Sequence, residues 1–129
     1  MAANAEFFTK PVPPQSARIS TANTNRDGTG TVGTFATGAT GGRMVNRIVV
    51  QALGTTTAGM VRLFTYDGTN YRAYREIPVT AITVGASTAA FRTEFAVYDL
   101  VLASSSITLV ASTHNAESFD VSAFCGDAE

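Results

Sequence analysis

The stretch Asn23-Thr24-Asn25-Arg26-Asp27-Gly28-Thr29-Gly30-Thr31 has the rhythm of a calcium loop. Oxygen-bearing side chains stand at its first, third and fifth positions, and a glycine turn follows. Two of those three are amides, and the twelfth position, Thr34, carries no carboxylate to close a cation shell in bidentate fashion. The same residues favour an Asx-turn loop, in which Asn and Asp side chains bond to nearby backbone. No metal site is expected.

The other chemistry-bearing residues are sparse. His114 is the one histidine and Cys125 the one cysteine, so neither a two-histidine site nor an intrachain disulfide exists. His114 falls in a turn, where a solvated side chain is the expectation. A serine-type triad needs Ser, His and Asp within hydrogen-bond reach, and no motif frames His114, Asp120 and a serine. Cys125 reads as a small, partly buried hydrophobe. The glycines follow turns and form no phosphate-binding pattern. No catalytic residue and no cofactor are assigned. Among the tyrosines, Tyr71 and Tyr74 are the candidates for stacking against a sugar, though tyrosines at hairpin ends commonly pack across the strand pair. Arg72, Arg75, Glu76, Arg92 and Glu94 are expected to form cross-strand ion pairs on an outer face.

Composition bounds the rest. The chain has 129 residues, one domain's worth, with 45% hydrophobic and 15% charged residues and a formal net charge of -1. That charge offers no basic field for phosphates, so a nucleic-acid partner is not expected. The N-terminus lacks the basic start and apolar run of a signal peptide, and no apolar run approaches membrane length. Folding is not expected to depend on oxidation. Nineteen threonines against one lysine suit pleated strands whose surface is polar by hydroxyls.

The elements that must position any site are short strands. Residues 1–15 read as an extended arm, because Pro11, Pro13 and Pro14 fix φ and remove donors. Its adjacent aromatics, Phe7 and Phe8, are expected to pack either on their own domain or on a neighbouring subunit. Strands are expected at 18–21, 31–37, 43–53, 59–66, 71–77, 81–84, 90–98, 107–113 and 118–124. In 43–53, Met44, Ile48, Val50 and Ala52 are expected to share the buried face. Asp67-Gly68 is a hairpin signal, Pro78 should end a strand or mark an edge, and residues 126–129 read as an acidic tail. Residues 16–129 thus form a single all-β domain: an antiparallel β-sandwich, jelly-roll-like, of eight or nine short strands, with a closed barrel as the alternative.

From residue 16 onward the chain also resembles small structural proteins of tailed phages. The likeness is carried by the run RMVNRIVVQALGTTTAGMVRLFTYDGTNYRAYREIPV (43–79), with TANTNRDGTGTVGTFATGATGGR (21–43) before it and LVASTHNAESFDVSAFCGD (109–127) after. The best match is a capsid decoration, or cement, protein. The resemblance implies a jelly-roll-like, non-enzymatic protein made in the host cytoplasm. It would sit on the outer surface of the phage head, bound to the major capsid protein and to itself, often as a homotrimer. A tail, baseplate or fibre component, with glycans bound through tyrosines, is the alternative role. The arm lies outside the resemblance, and Phe7, Phe8, Pro11, Pro13 and Pro14 are its expected partner-binding residues.

Overall fold

The computed structural model describes residues 8, 10–98 and 100–128. Among these it contains ten strands and no helix: β1 (Lys10–Pro11), β2 (Gln15–Ile19), β3 (Gly33–Thr37), β4 (Arg43–Ala52), β5 (Gly59–Tyr66), β6 (Tyr71–Val79), β7 (Arg92–Ala96), β8 (Val101–Leu102), β9 (Thr108–Thr113) and β10 (Phe119–Asp127). They form two antiparallel sheets, so the protein is a β-sandwich.

In the first sheet β10 and β4 are central. β1 and β2 line the free edge of β10, and β7 and β8 line the free edge of β4. The second sheet runs β3-β9-β5-β6. Treating β1 with β2 and β7 with β8 as single rows leaves eight rows. The pairings then nest: first with eighth, second with seventh, third with sixth, fourth with fifth. The β5–β6 hairpin turns where Asp-Gly requires it. Gly68 has φ +96°, and Asp67 accepts bonds from the amides of Thr69 (2.8 Å) and Asn70 (2.7 Å).

The core lies between the sheets. Phe35, Ile48, Val50, Val61, Leu63, Leu109, Phe119 and Val121 are among its buried residues. Along β7 and its flanks exposure alternates, with Phe91 and Val97 buried and Arg92 and Glu94 exposed. On β4 it shifts. Phe124 pairs with Arg47 but Cys125 pairs with Val45, leaving Asn46 as the extra residue of a bulge. One added residue reverses facing, so Val45, not Met44, enters the core.

Two other expectations are corrected. Gly126 and Asp127 are not tail: both extend β10, and Arg43 grips Asp127 at 2.6 and 3.0 Å. Residues 81–84 form one bridge, Ile82 with Thr56, because Gly85 turns the chain at once. β9 is buried on both faces, with Val110 and Ser112 as enclosed as Leu109 and Ala111. The cause is the β2–β3 connection. Ala22 bridges to Thr113 on β9, Arg26 bonds Glu76 on β6, and Gly28 lies against Tyr71. That path carries a strap across β5, where Phe64 is buried on the outer face.

Candidate functional site

The strap is an Asx-turn loop. Asn23 is buried; its Nδ2 donates to the carbonyls of Thr29 (2.9 Å) and Thr31 (2.8 Å), and its Oδ1 accepts from the Asn25 amide (3.0 Å). Asp27 accepts from the amide and hydroxyl of Thr29. The side chains that gave the calcium rhythm are thus occupied with the loop's own backbone and hydroxyls. Among the described residues no group of three His, Cys, Asp or Glu side chains could hold a metal.

His114 sits at the end of β9 beside a residue that periodicity did not single out. Arg62 is buried on the outer face of the second sheet. Its Nε donates to Glu76 at 2.8 Å, and both terminal nitrogens lie 3.3 Å from His114 Nδ1. An arginine can only donate, so Nδ1 accepts and the ring proton sits on Nε2. Arg26 adds a second cation to Glu76 at 3.2 Å. The sequence signal was an arginine inside the apolar run Met60-Val61-Arg62-Leu63-Phe64. The expected cross-strand pairs are therefore rearranged. Glu76 serves Arg62, Arg92 pairs with Glu94 on its own strand, and Arg75 stacks 3.9 Å from the centroid of Phe95.

The two candidate sugar-stacking residues lie apart. Tyr71 pairs across the hairpin with Tyr66, ring centroids 4.2 Å apart, with Gly28 against its Cβ. A bulge between Leu63 and Phe64 leaves Tyr74 as the extra residue on β6, packed against the core. They share no stacking face.

Of the expected partner-binding residues, Phe7 lies outside the described residues. Phe8 is half-buried. A side chain at Gly42 would meet the Phe8 ring at 3.2 Å and Val101 at 3.5 Å, so both flank bare backbone there. Gly126 likewise leaves room for the Phe8 carbonyl, and Gly126 itself pairs with Pro11. Pro11, Pro13 and Pro14 are exposed along this edge. Val101, beside Gly42, and Tyr98, just ahead of β8, are also exposed. This end of the first sheet is an apolar rim, and it is the candidate contact surface. Neither a protein-family model nor a curated protein matches the chain.

Titration follows from the hydrogen bonds. Asp127 and Asp120 are held below the usual carboxylate range by bonds from Arg43 and Arg18. Asp27 is held down by the Thr29 hydroxyl, and Asp67 by the Asn70 amide. A depressed folded-state pKa contributes stability above the unfolded value and loses it as pH falls through both. Unfolding free energy is therefore expected to be flat from pH 7 to about 5 and to drop below about pH 4. Urea titrations across that range check it; a flat profile to about pH 3 would mean these bonds contribute nothing. Burial pushes the Cys125 thiol up, against the pull of Arg43, which makes it a poor nucleophile.

Proposed function

We propose that the chain is a non-enzymatic virion structural protein, a decoration protein that binds the outer surface of a phage head and stabilises it. The observation that supports this reading is the nested pairing of the eight rows, which fits the winding expected of a jelly roll. The sequence resemblance implies the same architecture. A ligand that binds only the expanded shell stabilises that state by mass action, and many copies turn weak contacts into avidity. The contact with the major capsid protein is assigned to the arm and the apolar rim at its root. There Phe8 is anchored beside Gly42, and Pro11, Pro13 and Pro14 keep the path extended.

The test uses purified expanded heads. The full chain is expected to saturate them at a fixed copy number. Removing residues 2–9, which leaves β1 in place, is expected to weaken binding roughly tenfold or more, because each copy loses its anchoring contact, while the fold is kept with a small drop in thermal stability from the lost half-buried Phe8. Unaltered occupancy would overturn the role of the arm. Full-length protein that ignores heads would overturn decoration and favour a tail component.

A further inference from the structure

The sandwich has four outer edges, and they are not equivalent. β2 and β3 close on each other at one side, where a side chain at Gly33 would strike Ile19. β6 carries Pro78, which cannot donate to a further strand. β7 carries no proline, and from β6 it is met by the Arg75 guanidinium stacked on the Phe95 ring. It is the last strand of its sheet among the described residues, and a cleft of about 330 Å³ separates it from β6.

Its outward groups follow from its bonds to β4. The Ala52 amide donates to the Phe91 carbonyl (2.8 Å) and the Val97 amide to the Asn46 carbonyl (2.9 Å). In an antiparallel ladder alternate residues face the same neighbour. Residues 91, 93, 95 and 97 therefore face β4, while Arg92, Glu94 and Ala96 turn their N–H and C=O groups to the open edge. Around Thr93 the sequence is Ala-Phe-Arg-Thr-Glu-Phe-Ala, symmetric except that the charges invert.

We propose that this edge pairs with the same edge of a second copy, antiparallel, about a twofold axis through Thr93. Arg92 of each copy then lies opposite Glu94 of the other in a hydrogen-bonded pair, giving about four backbone bonds at the centre. Both charged side chains point to the solvent face, at 51% and 44% exposure, and among the described residues they bond to each other within one strand (3.0 Å). Exchange across the axis keeps two ion pairs and adds the ladder. The threonines meet at the axis and the small Ala90 and Ala96 face each other at the ends. Edge charges usually block pairing by repulsion; here inversion about the centre makes them complementary to a copy of themselves. Such an isologous contact closes as a dimer. The inference is independent of the virion reading.

Sedimentation equilibrium at about 100 µM, a concentration that reveals weak, small interfaces, is expected to give twice the 13.5 kDa chain mass. Arg92→Glu alone and Glu94→Arg alone each place like charges opposite one another twice, and are expected to weaken association roughly tenfold or more. Mixing the two variants should restore it, as should the double exchange in one chain. Both positions are exposed, so folding is kept, which circular dichroism verifies. A monomeric wild type, a trimer, or association indifferent to these charges would overturn the proposal.

Discussion

Replacing Glu76 by alanine is expected to cost about 2–3 kcal/mol of unfolding free energy, whereas Arg62→Met is expected to cost about 1 kcal/mol or less. The asymmetry comes from burial. The Arg62 side chain is 2% exposed and that of Glu76 40%. Removing the carboxylate leaves a guanidinium enclosed beneath the strap with only His114 Nδ1 to receive its hydrogens. An enclosed charge without its partner is costly. Water at the half-exposed Glu76 position limits the loss to the low end of what buried pairs show. Removing the arginine instead leaves a carboxylate that water and Arg26 can serve, and methionine fills the space between Phe64 and the sheet edge. The combination of Arg62→Met with Glu76→Ala is expected to recover most of the loss. Urea unfolding of the three variants measures this. Equal costs for the two single changes would show that packing, not charge, holds Arg62 in place.

Much of this fold was legible because it is local. The β5–β6 hairpin follows from Asp67-Gly68, whose backbone needs are met within four residues. The β7 face follows from strict alternation between Phe91 and Val97. What escaped depends on distant partners. The β4 bulge appears only when Arg47 and Val45 are set against Phe124 and Cys125 on β10. A period of two, read from one strand, cannot register an extra residue on that strand. Asp127 looked like tail because its partner, Arg43, stands 84 positions away. Periodicity also presumes one solvated face, and the strap removes that face from β9 and β5, which hid the role of Arg62. At the candidate site, the extended path through Pro11–Pro14 could be read directly. The seat of Phe8 could not, since two glycines far apart in sequence, Gly42 and Gly126, make the room for it.

The buried clasp of the strap is the Asn23 amide, and Asn23→Asp is expected to cost about 3 kcal/mol at pH 7. The substitution keeps the shape and keeps Oδ1 on the Asn25 amide. It replaces the Nδ2 donor by an oxygen that would face the carbonyls of Thr29 and Thr31 at 2.9 and 2.8 Å. Two lost bonds to a buried side chain, plus repulsion between acceptors, give that magnitude. Asn23→Ala, which only deletes the bonds, is expected to cost about 2 kcal/mol. The loop's other clasps, Asn25 on Thr29 and Thr29 on Asp27, are solvent-exposed. Gly28 and Gly30 hold φ of +92° and +86°, and a side chain at Gly30 would strike Asn23. Releasing the strap also frees the Ala22 bridge to Thr113 and the Arg26 contact with Glu76. Phe64 and Val110 then meet water, so the opening is coupled to the outer face of the sheet. The signature is in the pH dependence of the difference from wild type. Protonating the new carboxyl returns one donor to the loop, so the Asn23→Asp penalty should shrink as pH falls toward about 5, because burial among acceptors raises that group's pKa. The Asn23→Ala penalty should not change over the same range. Parallel urea titrations of the two variants measure both slopes, and an Asn23→Asp penalty that stays constant with pH would show that the amide's donors are not what closes the loop.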